Sequence, residues 1–201
     1  MEKEKQEQLK LKKNIFDINF LDDYRSRYKK LLFESRDDQN LLKMRDCFVE
    51  TSQKNGRLIF IGNGASASLS SHAATDFTKQ AKIRSIAFND HNLITALSND
   101  YGYVNWVQKA LELYSEKNDR VVFISVSGKS ENLIKGMDFA IEKGLETSSL
   151  TGSSPKNVLR EKCKTSLWVN SNAYNIVESI HTIWITLIID IIVGTPEYKV
   201  S

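Results

Sequence analysis

Ser125, Ser127, Gly128 and Ser130 sit in a short run, Ser-Val-Ser-Gly-Lys-Ser, between a strand-like and a helix-like segment. Residues 121–126 are β-branched and aromatic over the length of a strand buried on both faces. Beyond the turn, Leu133, Ile134, Met137, Ala140 and Ile141 recur at helical spacing. A strand that runs into a helix this way leaves free backbone N–H groups at the helix N-terminus, where the dipole favours negative charge. Three serine hydroxyls add donors, so the expected guest is the phosphate of a phosphorylated metabolite. An ordinary Ser N-cap on an α/β turn would use the same residue types.

A second Ser/Gly loop precedes it. Residues 57–61 read as a short buried strand entering Gly62-Asn63-Gly64-Ala65-Ser66, with Leu69, Ala73, Ala74 and Phe77 forming a helix behind the loop to about Gln80. A dinucleotide fingerprint is the rival for this loop, but its third glycine is missing. Phe88 and Asn89 also stand where a ribose would require an acid.

Positioning these loops takes an alternation of strands and helices. Strands are expected at 57–61, 83–88, 121–126, 147–150 and 166–169. Between them come a short helix from Asn92 through Ala96, a polar loop over 98–103, and helices holding Trp106 to Leu113 and Val158 to Cys163; a last helix spans 175–193. Strands with little alternating polarity argue for a parallel sheet covered on both faces, in which ligands collect at the carboxyl ends of the strands. The loops at Asn63, Ser127 and Thr151 then share one edge. Upstream, residues 1–13 are polar and read as frayed or as the start of a helix. From Ile15 two amphipathic helices follow, with a break near 35–38 and apolar faces suited to packing or self-association.

The 201 residues, 41% hydrophobic and 26% charged, allow a good-sized core. A net charge of +3 with mixed signs and no basic stripe argues against nucleic acid. Cys47 and Cys163 match no CxxC pattern, and two free thiols suit the cytosol. The first residues carry charge where an export signal needs an apolar core. The apolar run 180–193 is short for a bilayer and contains Asp190, so it reads as a helix buried in a core or an interface.

GNGASASLSSHAATD, SNDYGY, SVSGKSENLIKG, LTG and a closing VESIH helix, in that order, resemble the sugar isomerase (SIS) domain. Their spacing is similar to that of the phosphoheptose isomerase family over about residues 40–195. The resemblance implies a three-layer α/β sandwich with a five-stranded parallel sheet and the N-terminal helices packed on it. Residues 1–50 would serve packing and oligomerisation, and 51–201 would be the SIS domain. It implies isomerisation of sedoheptulose 7-phosphate to D-glycero-D-manno-heptose 7-phosphate, in a cytoplasmic homotetramer serving lipopolysaccharide or capsule heptose synthesis.

Residue by residue, the resemblance gives Asn63, Gly64, Ala65 and Ser66 to the substrate loop, Asn99 and Asp100 to a substrate-binding pair, and Ser125, Val126, Ser127 and Ser130 to the phosphate cradle. Ala65 replaces a glycine of the family, and Val126 replaces a threonine, leaving only backbone there. The family's His and Glu that bind zinc, the Glu also acting as base, correspond to His72 and Asp76. Their i,i+4 spacing puts both on one helix face, as a shared metal or proton-transfer site needs. Aligned on His181, the family's Gln ligand becomes Glu178 and its catalytic His becomes Thr186, which cannot supply an imidazole's proton. The resemblance still allows zinc as cofactor, held by His72, Asp76 and Glu178, since three protein ligands leave a position open for water or substrate. His181, in an apolar helix, reads as a core or interface histidine, and His91 beside Asp90 as a helix-start residue. Two other functions fit the same pattern: a non-catalytic SIS domain binding a sugar phosphate or a protein, and an isomerase of another sugar phosphate.

Overall fold

A computed structural model describes residues 6, 18–35 and 37–198. The reading of residues 1–13, apart from Gln6, and of Ile15 lies outside them. The chain divides into two units, residues 1–36 and 37–201. The first contains helix α1 (Ile18–Tyr28), continued by a π-helical turn Lys29–Glu34. Its Ile18, Phe20 and Phe33 are exposed.

The second unit carries the sheet. In chain order it has α2 (Asp38–Gln53), β1 (Leu58–Gly62), α3 (Ala65–Lys79), β2 (Ser85–Ala87), α4 (His91–Tyr101), a 3₁₀ turn Tyr103–Asn105 and α5 (Trp106–Tyr114). Then follow β3 (Arg120–Ser125), α6 (Glu131–Glu142), β4 (Glu146–Thr151), α7 (Val158–Lys162), β5 (Thr165–Trp168) and α8 (Tyr174–Val193). All five strands are parallel, in the order β2-β1-β3-β4-β5. The order reverses direction between β1 and β3, so the Asn63 and Ser127 loops flank the crevice where such sheets bind ligands.

Side-chain alternation along the two central strands assigns the layers. Ile59, Ile61, Val121 and Phe123 pack with Trp106, Val107 and Leu111 of α5 and Leu133 and Met137 of α6. On the opposite face Phe60 of β1 meets Phe77 of α3 and Phe48 of α2, all with centroids 5.4–6.2 Å apart. Stacked and edge-on rings of this kind add to the burial of each apolar side chain. Helix α8 closes the same face with Val177, Ile180, Ile185 and Ile188, all fully buried. At 20 residues α8 is long and apolar enough by composition to cross a membrane. One face of it is spent on the sheet.

Three expectations change. The polar stretch 98–103 is not a loop: α4 runs to Tyr101, because Asp90 caps its start by accepting from the N–H groups of Asn92 and Leu93. Asn99 and Asp100 are exposed on that helix's outer side, whereas Ser98 is half-buried with its Oγ out of solvent. Strand β2 is only three residues long, although Ile83 and Phe88 beside it are buried. Strand β3 starts one residue early, at Arg120, a 1% exposed guanidinium that donates to Thr51 Oγ1, Ser148 Oγ and Glu146 Oε2.

Candidate functional site

The two Ser/Gly loops converge. A hollow of about 110 Å³ is lined by Asn63 and Ser66 from the first loop, by Ser125, Val126, Ser127 and Ser130 from the second, and by Glu178 from α8. The first loop turns tightly. A side chain at Gly62 would stand 2.7 Å from the Ser66 backbone, and Gly64 adopts φ +57°, the left-handed region.

In the second loop the serines first order the turn. Ser125 Oγ accepts from the Gly128 N–H and Ser127 Oγ from the Lys129 N–H, at 3.2 Å each. Two loop amides expected to face the anion are therefore taken. The hydroxyls that accept them keep their own O–H to donate. The Ser130 side chain makes no capping bond at the start of α6. The first helical bonds run from the Leu133 and Ile134 N–H groups to the Ser130 carbonyl, so the N–H groups of Glu131 and Asn132 precede them. Ser130, at this positive helix end, lines the hollow.

A second hollow, about 480 Å³, adjoins the first and shares Ser66 and Glu178 with it. Its walls include Ala65, His72, Asn175 and His181. His72 Nε2 is 3.2 Å from Asp76 Oδ2 across one helical turn. His72 lines this hollow whereas Asp76 does not, so the carboxylate meets the space through the imidazole. No ion pair engages Glu178 among the described residues.

Asn99 and Asp100 line neither hollow. They are exposed at the end of α4, Asn99 Nδ2 donating to Asp100 Oδ1 at 2.9 Å. Thr186 is also outside both, its hydroxyl donating to the Thr182 and Ile183 carbonyls of its own helix. A larger hollow of about 610 Å³ lies at the opposite end of β3, around Arg120, and contains none of the expected site residues.

Among the described residues no group of three or more His, Cys, Asp or Glu side chains is placed to hold a metal ion. One chain's His72, Asp76 and Glu178 therefore do not fit zinc as a three-ligand set. The donor types agree with that: an aspartate one methylene shorter than the family's glutamate, and a threonine without a ring nitrogen at 186.

His181 is half satisfied. Its ring is fully buried, with Nε2 3.1 Å from the Thr151 carbonyl. A carbonyl only accepts, so Nε2 carries the proton, and Nδ1 has no partner. Burial outweighs the Thr151 bond and pushes the imidazole pKa down to about 4. Between about pH 6.5 and about 4 the unfolded chain binds a proton that the folded chain refuses, so folding stability falls as pH falls through this window. The loss amounts to roughly 3 kcal/mol. Urea unfolding from pH 7 to pH 4 should show a shallower decline in His181→Gln than in wild type. Equal slopes would refute the assignment.

Asn132 and Tyr103 escaped the sequence reading, although Asn132 closes the SGKSEN run and could have been found there. Asn132 Nδ2 donates to Asn63 Oδ1 at 3.0 Å, Asn63 Nδ2 returns a bond to Asn132 Oδ1 at 3.1 Å, and Tyr103 Oη donates to Asn63 Oδ1 at 3.2 Å.

A family model described as SIS domain matches residues 19–152. A phosphoheptose isomerase of Helicobacter pylori strain HPAG1 is 32% identical over 150 residues, covering 72% of this chain and 78% of that protein. A probable phosphoheptose isomerase of Thermoplasma volcanium is 32% identical over 150 residues, with 72% and 76% covered. Among solved structures, a phosphoheptose isomerase from Francisella tularensis superposes with a TM-score of 0.81 at 21% identity, over 89% of this chain and 99% of that one. One from Neisseria gonorrhoeae gives 0.77 at 24%, over 87% and 95%. At these identities the structural likeness is one of fold.

Proposed function

We propose that this chain, which belongs to the SIS domain family and within it to the phosphoheptose isomerases, interconverts sedoheptulose 7-phosphate and D-glycero-D-manno-heptose 7-phosphate. The observation that carries this reading is the pair of adjoining hollows: an anion-suited one walled by serines, and a roomier one with His72 on its wall. The phosphate occupies the first and the carbonyl end of the sugar the second.

Isomerisation moves one proton between neighbouring carbons through an enediol. His72, backed by Asp76, is the proton-transferring unit on the hollow, and the carboxylate fixes the ring's tautomer and steadies the charge it gains. Glu178 is a second acid-base group on the same hollow, suited to passing a proton between the two sugar oxygens, a task Thr186 cannot perform. No step is carried through zinc, since the donor set of one chain does not fit it. Loop amides and hydroxyls are the remaining donors for the developing enediolate.

Purified protein incubated with sedoheptulose 7-phosphate, with and without added zinc, should form the aldose. Silence under both conditions overturns the proposal, and binding without turnover would leave a non-catalytic sugar-phosphate binder. Self-association into a homotetramer belongs to the same proposal. Supporting it are Ile183 and Leu187, apolar and exposed one turn apart on α8. The product would feed synthesis of heptose-containing surface polysaccharide.

A further inference from the structure

We infer that Asn132 and Tyr103 are positioning residues that hold the Asn63 carboxamide with a free N–H turned toward the ligand. The inference rests on the reading of the smaller hollow as a sugar-phosphate site.

Asn63 follows directly on β1 and lines that hollow. Its Oδ1 accepts from both Asn132 Nδ2 and Tyr103 Oη, and its Nδ2 donates once, to Asn132 Oδ1. A carboxamide oxygen has two lone pairs and its nitrogen two hydrogens. Both lone pairs are used and one hydrogen is not, so the unspent capacity of this side chain is a donor. Phosphate and sugar oxygens with lone pairs need a donor at this place.

Nothing in Asn63 itself would choose that orientation. The terminal torsion of asparagine is broad and roughly two-fold, so an untethered amide presents its oxygen to an anion about as readily as its nitrogen. Asn132 fixes the plane of the amide from a rigid place: it is 3% exposed in the first turn of α6. Because a reciprocal carboxamide pair closes in either sense, the nitrogen-outward sense is selected by the Tyr103 hydroxyl donating to Oδ1. Tyr103 adds a third point from the 3₁₀ turn between α4 and α5. One amide thus ties the β1 loop, the helix after the serine loop and that turn together. The two anion-binding loops become one unit, fixed before any ligand arrives.

The test is calorimetric titration of sedoheptulose 7-phosphate, with turnover measured alongside, on wild type, Tyr103→Phe, Asn132→Leu, Asn63→Ala and the Asn63→Ala/Asn132→Leu double variant. Asn132→Leu should weaken binding about tenfold and Tyr103→Phe about threefold, the scale of a lost hydrogen bond at a desolvated site. Turnover at saturation should change less than binding does. Once Asn63 is alanine, Asn132→Leu should have no further effect, because its action passes through that amide. Additive losses in the double variant overturn the inference, as does unchanged binding in both Tyr103→Phe and Asn132→Leu. Tyr103 is exposed, so its variant keeps the test alive if Asn132→Leu does not fold.

A wild type that neither binds nor turns over the sugar phosphate overturns the reading of the site. The inference is then decided in ligand-free protein by the Asn63 side-chain amide protons, identified by their loss in Asn63→Ala. The one bonded to Asn132 Oδ1 should be protected from exchange with solvent in wild type and lose that protection in Asn132→Leu, while the unpaired one exchanges freely. Equal protection overturns it.

Discussion

Replacing Asp76 with asparagine should lower turnover of sedoheptulose 7-phosphate by about 10²- to 10⁴-fold while leaving its binding nearly unchanged. The carboxylate is 3.2 Å from His72 Nε2 and fixes where the ring carries its proton. Asparagine has the same shape, so α3 and its buried Phe77 and Ala73 are undisturbed. Its amide can, however, present nitrogen to the ring and favour the other tautomer, and it carries no charge to stabilise a protonated imidazole. The phosphate hollow does not include Asp76, so affinity is decided elsewhere. His72→Ala should cost a similar factor, and the double variant little more than either alone, since the two act as one unit. A fall of less than about fivefold in Asp76→Asn would remove it from the chemistry.

Gly128→Ala should cost about 2 to 5 kcal/mol of stability and weaken sugar-phosphate binding at least tenfold. Gly128 has φ +61°, and a Cβ there would stand 2.0 Å from Asn157 Oδ1 and 2.4 Å from its Cγ. Asn157 cannot retreat. It is fully buried, its Nδ2 donates to the Ser154 carbonyl at 2.9 Å and to Thr151 Oγ1 at 3.2 Å, and its Oδ1 caps α7 by accepting from the Arg160 N–H at 3.0 Å. The loop itself must therefore shift, carrying Ser127 and Ser130 with it. Gly64→Ala is the control: its φ is also positive, but nothing lies within 4 Å of the added carbon. Thermal unfolding should separate the two glycines, and equal losses of stability would discount the role given to Asn157.

Much of this architecture could be read from residue types alone. Apolar runs ending in Ser/Gly loops fixed the parallel sheet, and the order of those runs put the Asn63 and Ser127 loops at one edge, where the structure joins them. Misreadings arose where composition and position conflict. Ser98, Asn99 and Asp100 are turn formers by type, yet they continue α4, because the helix is held by Leu97 on its buried side and capped by Asp90. Arg120 was left out of β3 because a charged residue rarely enters a sheet buried. Here Thr51 of α2 with Ser148 and Glu146 of β4 satisfy it, and no local pattern announces them. The same holds for Asn132, whose partner is 69 positions away. The site's hydroxyls were legible, but the hydrogen bonds that orient its amide were not.

Ser66 and Glu178 form the shared wall of the two hollows, and this makes the site a ruler. A phosphate seated among the serines brings a carbonyl to His72 only if enough carbons lie between to cross that wall. If the phosphate is held among the serines, as proposed, a sugar phosphate too short to cross that wall would dock by the same anion without reaching the imidazole and act as an inhibitor. Discrimination by chain length thus follows from where two side chains stand, without any contact dedicated to counting carbons.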